Sequence, residues 1–182
     1  MKKIMILISI LFVSVLTTAC INNFAVQELN NQAKESLNNG DTQTAIYKLK
    51  SSLDLDSNIY ETHYNLAIAY IAAKQYVEAT QSLQEVIKLN PDFPDTYYSL
   101  GLAHEELASL DVINSEKATD PAKKNTSKGY AISNMTMAIE NYNEYLSRKI
   151  DAKDKDKVNA RINFLNEELK KYNVKSPLPA KG

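Results

Sequence analysis

Tryptophan is absent from the 182 residues, cysteine occurs once at position 20, histidine twice and glycine four times. A single cysteine excludes a disulfide framework, a CxxC redox pair and a thiolate zinc site, because each needs partners that this sequence lacks. The glycines, at 40, 101, 129 and 182, stand too far apart for a GxGxxG turn, a phosphate-cradling P-loop or a GxSxG nucleophile elbow. So few of them also argue against a sheet-rich fold with many tight turns. The two histidines, His63 and His104, lie far apart in the chain, and neither has a second His or Cys at helical spacing. Excess charge is missing too: 21 basic and 22 acidic residues leave a net charge of −1, without the footprint of non-specific nucleic-acid binding. What remains, 44% apolar and 24% charged, is the composition of a globular domain, and an all-helical one is expected.

The N-terminus is a separate object. Lys2 and Lys3 precede the run Ile4 to Leu16, then Thr17, Thr18, Ala19 and Cys20. That run is too short to span a bilayer core, which takes about 20 residues, so it reads as the apolar region of a signal peptide over 1–19. Small residues directly before a cysteine are what a lipoprotein signal peptidase must fit, and the segment resembles a bacterial lipoprotein signal. Thr17 stands three before the cysteine, where such signals usually carry an aliphatic residue. The resemblance implies that Cys20 becomes an acylated N-terminus followed by a short tether over 20–25. An ordinary cleaved leader followed by a free thiol is the alternative. Removal of Lys2 and Lys3 takes the net charge to −3, so acyl chains rather than headgroup attraction would hold the chain to a membrane. Ile21 after the cysteine, by the sorting rule of two-membrane bacteria, implies the outer membrane where the organism has one.

A period of about 34 residues runs through the rest. Leu66 pairs with Leu100, Ala67 with Gly101, Tyr64 with Tyr98, Tyr70 with His104, Ala33 with Ala67, Ala45 with Ala79, and Leu49 with Leu83. Within one unit His63, Leu66, Ala67 and Tyr70 fall at i, i+3, i+4 and i+7 on one helix face, and Ala79, Leu83, Val86 and Ile87 share a face of a second helix that Asn90-Pro91 ends. Small residues at Ala45, Ala67, Ala79 and Gly101 let paired helices approach closely. A hairpin that cannot bury its apolar face alone must stack on its neighbours.

On these residues the chain resembles the tetratricopeptide repeat family. Asn65 to Tyr70 (NLAIAY), Tyr76, Ala79, Leu83 and Lys88 to Pro91 (KLNP) follow its consensus in a repeat over 60–93, with a looser copy over 26–59. The third copy opens with Tyr97, Leu100, Gly101 and His104, and its second helix follows only at Ala138, Ile139, Tyr142, Tyr145 and Leu146. This places the third repeat at 94–150, with an insertion near 108–132. Leu107, Leu110 and Val112-Ile113 continue the first helix, and Asp120-Pro121 starts the next, predicting an elongated hairpin with a short loop near 114–120. Val158, Ile162, Leu165 and Leu169 predict an amphipathic capping helix within 154–172, and Pro177 and Pro179 mark a tail over 173–182 expected to be disordered. The expected fold is an all-α solenoid of about three repeats with an elongated third hairpin and a C-terminal cap.

The resemblance implies a protein or peptide partner in a groove lined by the first helices of the repeats, with no cofactor, metal, catalytic group, nucleic acid or small-molecule substrate. Groove-facing positions are Glu61, Tyr64, Asn65, Ile68 and Ile71 in the second repeat, and Asp95, Tyr98, Ser99, Leu102 and Glu105 in the third. Tyrosine suits recognition because it buries area with few rotors and carries a hydroxyl. The alternative is that the tyrosines pack against each other or against the cap. His63 and His104 occupy positions for packing aromatics. Of the positions with which some family members clamp a terminal carboxylate, Asn65 matches while Asn30, Lys34, Asp95 and Ser99 do not, which disfavours binding of chaperone tails. The expectation is a lipid-anchored extracytoplasmic adaptor of a bacterial envelope, serving pilus, secretion-complex or envelope assembly. A surface lipoprotein or spacer without a groove ligand is the alternative.

Overall fold

The computed structural model describes residues 23–149 and 153–172. The leader over 1–19, residues 20–22 of the expected tether with Cys20 among them, and the tail over 173–182 lie outside the described residues, while 23–25, expected as tether, already belong to the first helix. Seven helices and no strand are found among those described: α1 over 23–38, α2 Thr42–Leu55, α3 Tyr60–Ala72, α4 Tyr76–Leu89, α5 Pro94–Lys117, α6 Pro121–Arg148 and α7 Lys155–Lys170.

Local chemistry fixes the helix ends. Asp41 caps α2 by accepting from the Thr44 amide at 3.0 Å, just after Gly40 turns the chain at φ +79°. Pro94 and Pro121 open α5 and α6, where a missing N–H removes no intrahelical bond, and Asp120 caps α6 through the Ala122 amide at 2.8 Å. Gly129 is exposed inside α6 and leaves the helix unbroken.

α1 with α2, α3 with α4 and α5 with α6 form three successive antiparallel hairpins. α1, α3, α5 and α7 lie side by side in one layer, joined by Asn30 to Thr62, Ser99 to Tyr64 and Arg161 to Glu105. α2, α4 and α6 form the other layer. Three cores run along the stack. Ala33, Ala45, Leu49, Leu66 and Tyr70 join the first two hairpins; Ala67, Leu83 and Leu100 join the second to the third; Met135, Ile139, Tyr142, Val158, Ile162 and Leu169 seat α7 on α6. The N-terminal end is capped by polarity. Gln32 stands one period before Leu66, and it accepts from Lys48 Nζ at 2.5 Å and donates to Glu28 at 2.6 Å. At the other end α7 stands where the first helix of a fourth repeat would, its apolar side buried by Val158, Ile162, Leu165 and Leu169.

Candidate functional site

The layer of α1, α3, α5 and α7 brings the expected groove residues to one side of the molecule and treats its two halves differently. Between α1 and α3 lies a cleft of about 400 Å³, lined by Asn23, Val26, Gln27, Asn30, Asn31 and Lys34 from α1 and by Ile59, Glu61, Thr62 and Asn65. Its floor is a network of amides and hydroxyls. Asn30 Nδ2 donates to Ser52 Oγ at 2.9 Å and Thr62 Oγ1 at 3.0 Å, and Asn65 Nδ2 donates to Asn30 Oδ1 at 3.0 Å. Ser52 and Thr62 are fully buried, so these bonds satisfy hydroxyls that water does not reach. Asn31, Lys34 and Glu61 stay exposed at the cleft mouth. Further along α3, Ile68 is half-buried and Ile71 packs on the first core. Tyr64 sets its ring edge-on to Phe93 at 5.0 Å and accepts a hydrogen bond from Ser99 at 3.4 Å, and burial pushes its phenol pKa up.

On α5 the expected strip is engaged by the chain's own C-terminal part. Ser99 is buried rather than groove-facing. Asp95 accepts from Lys149 at 2.7 Å, and Tyr98 packs on Tyr142 and Tyr145 of α6, with ring centroids 5.9 and 5.4 Å apart. Glu105, expected to face the groove, accepts from Arg161 at 2.6 Å and from the Tyr142 hydroxyl at 2.7 Å. The reason is that α7 occupies the place of a fourth repeat and brings Arg161 against α5. Burial raises the Tyr142 pKa far above the ordinary tyrosine range, and the Glu105 charge adds to it. Leu102 is half-buried. The cleft found along this groove lies in its α1–α3 half.

Sequence reasoning weighed Asn30 and Lys34 only as clamp positions and left the α1 wall out of the groove residues, although one period back from Tyr64, Asn65 and Ile68 stand Asn30, Asn31 and Lys34. The two histidines serve packing and helix pairing. His63 Nε2–H donates to the Ser57 carbonyl at 2.9 Å, and His104 Nδ1–H donates to Asn134 Oδ1 at 2.9 Å, joining α5 to α6. Among the described residues no cluster of three His, Cys, Asp or Glu could hold a metal, and no helix is long and apolar enough to cross a membrane.

Comparison with known proteins agrees with this architecture. The family model described as TPR repeat matches residues 69–107, from the end of α3 through α4 into α5. The fold is that of a tetratricopeptide-type solenoid, and the matched segment is its repeat. A curated relative, the BBSome complex member BBS4 homolog of Drosophila melanogaster, is 28% identical over 122 residues, which is 59% of this chain and 25% of that protein. The match thus spans about a quarter of that relative's length. Among solved structures, the OM64 tetratricopeptide domain of Arabidopsis superposes with a TM-score of 0.62 at 13% identity, covering 80% of this chain and 98% of that one. The Sgt2 tetratricopeptide domain of Aspergillus fumigatus gives 0.61 at 15% identity, over 86% and 87% of the two chains. The first tetratricopeptide domain of Spaghetti (RPAP3), bound to an HSP90 peptide, gives 0.60 at 15% identity, over 80% and 93%.

Proposed function

We propose that this tetratricopeptide repeat protein is an adaptor, held on the extracytoplasmic side of a bacterial envelope by an acylated Cys20, which grips a segment of a partner protein in the cleft between α1 and α3. The observation that carries this reading is the cleft itself, about 400 Å³ in volume and walled by Asn23, Gln27, Asn30, Asn31 and Asn65 with Lys34 and Glu61 at its sides. With the Asn30 amide held in the floor network, the Asn65 and Gln27 side-chain carbonyls and the exposed Asn31 amide face the cleft to pair with the N–H and C=O of an extended backbone. A solved neighbour holds an HSP90 peptide, which supports a peptide ligand of some kind here. Tail-carboxylate recognition has little support in this chain, because the acid-gripping positions carry Asn30, Lys34, Asp95 and Ser99 in place of the usual set. A role in assembling envelope complexes suits an anchored adaptor of this kind.

The test is photocrosslinking in intact cells from a probe residue replacing Gln27 at the cleft wall. A discrete crosslinked partner is expected, and it disappears when Asn31→Arg and Lys34→Glu are introduced together while the melting temperature stays put. Crosslinks that survive the double substitution would overturn the cleft as the binding site. Labelled palmitate is expected in the wild type and absent from Cys20→Ser; label in the variant removes the anchor from the proposal.

A further inference from the structure

A second furrow lies away from the α1–α3 cleft, where the overlong part of α5 meets the capping helix. Two facts create it. α5 runs on past Ala108, at which the corresponding helices of the first two hairpins have already turned. α7 rises beside α5 in the same direction, both being antiparallel to α6, with Arg161 level with Glu105. The walls between them hold Val112 and Ile113 from α5 and Phe164 and Leu165 from α7, Met135 of α6 contributes to the lining, and the cavity is about 310 Å³. Ile113 is 40% exposed and Phe164 58%, on a capping helix whose outward side is otherwise polar. A terminal cap normally keeps such a side free of large apolar groups, since its task is to end the stack in water.

Charge identifies what fits. Glu105, Glu106 and Glu168 line the furrow, and no lysine or arginine is among its lining residues. Glu105 is matched by Arg161, and Glu168 pairs with Lys171, whereas Glu106 accepts the Tyr76 hydroxyl at 3.2 Å and has no ion-pair partner among the described residues. Length and shape add the rest. The stretch from Glu105 to Ile113 runs about 12 Å, or two helical turns, along two helices lying side by side. Such a pair offers ridges and a groove to a third helix, which sets its apolar residues down at i, i+3, i+4 and i+7.

We propose that the furrow between α5 and α7 is a docking site for an amphipathic helix of a partner protein, whose apolar stripe is flanked by lysine or arginine. The insertion in the third repeat thereby adds a second interaction surface to the repeat scaffold, independent of the α1–α3 cleft.

The full chain is titrated with a fluorescein-labelled synthetic helix of about four turns made of leucine and lysine, and with its leucine and glutamate counterpart, by fluorescence anisotropy. Preference for the lysine helix by about tenfold or more is expected. The preference reverses in Glu106→Lys with Glu168→Lys, and both helices lose binding in Ile113→Asp with Phe164→Asp. Both replaced apolar side chains reach solvent, so unchanged helicity and melting accompany that loss. Equal binding of the two helices overturns the proposal, as does binding that survives Ile113→Asp with Phe164→Asp or that is lost instead in Asn31→Arg with Lys34→Glu. A chain that sediments as a dimer, and becomes a monomer with Phe164→Asp, assigns the furrow to a second copy and likewise overturns it.

Discussion

The second hairpin and the third are one design executed with different side chains. In the second, Ala67 on the first helix sits in one core with Leu83 on the other, both fully buried. In the third, the matching positions, with the insertion taken out, are Gly101 and Tyr142. A Cβ built at Gly101 would fall 2.5 Å from two ring carbons of Tyr142, so the ring occupies the space that a methyl group fills in the other hairpin. The sizes trade against each other because core volume is fixed by close packing. The larger ring also does what leucine cannot: its hydroxyl donates to Glu105, which in turn accepts from Arg161, and this ties the cap to the third hairpin. Breaking the trade gives the largest expected effect. Gly101→Ala should lower unfolding free energy by about 2 kcal/mol in urea titration. Tyr142→Leu destabilises by itself, having lost the phenol, yet in its presence Gly101→Ala should cost little, a coupling of about 1 kcal/mol or more in a double-mutant cycle. Strict additivity would show that the two side chains do not compete for the same space.

The joints between hairpins differ as well. Where the first meets the second, Thr62 Oγ1 accepts from Asn30. One period on, Thr96 is equally buried, and its Oγ1 has no hydrogen-bond partner among the described residues, because Tyr64 stands in place of the asparagine and turns its ring to Phe93. Val86 replaces Ser52 at the same joint. A buried hydroxyl without a partner carries a desolvation cost that a methyl group of the same shape avoids. One substitution should therefore change sign between the joints: Thr62→Val lowers stability by about 1 kcal/mol, and Thr96→Val raises it by up to about 1 kcal/mol, as shifts in the denaturation midpoint. A loss of equal size at both would mean that Thr96 has a partner in solution.

These contrasts mark how far sequence alone reaches. The repeat period, the small residues at Ala45, Ala67, Ala79 and Gly101, and the Asp120-Pro121 start specify an all-α repeat fold with a long third hairpin and a cap, because each is a local or periodic constraint that one chain displays. The candidate site was less legible. Glu105 and Asp95 look like free groove carboxylates on their helix, and what engages them, Arg161 and Lys149, lies far along the chain, on and beside elements whose docking no spacing records. Ser99 looks like groove wall for the same reason, since it is buried and its hydroxyl donates to Tyr64 on a neighbouring helix. The α1 wall carried a readable signal in the repeat offset, but asparagine and lysine there match neither the aromatic strip nor the clamp, so the offset alone had to point to it.

The smallest effect concerns the turns that set hairpin length. Gly40 turns the first hairpin at φ +79°, and Lys74, one period later, turns the second at φ +60°. A side chain in the left-handed region meets its own carbonyl at a cost of about 1–2 kcal/mol, from which glycine is exempt. The next member of the series, Ala108, is 1% exposed inside α5, and there the chain continues as helix to Lys117. Its burial between α5 and α6 rewards a helical backbone at the point where the other two hairpins turn away. Substitution to glycine should consequently act in opposite directions at equivalent positions. Lys74→Gly relieves the turn and raises stability by about 0.5 kcal/mol once the greater freedom of the unfolded chain is subtracted, while Ala108→Gly lowers it by about 1 kcal/mol as any helix-interior glycine would. Gly40→Ala should cost about 1 kcal/mol, the reverse of the gain at Lys74. Thermal melts of the three variants decide it: a gain at Ala108→Gly would mean that the third hairpin, too, prefers to turn at the repeat mark, and that something other than its core holds α5 straight.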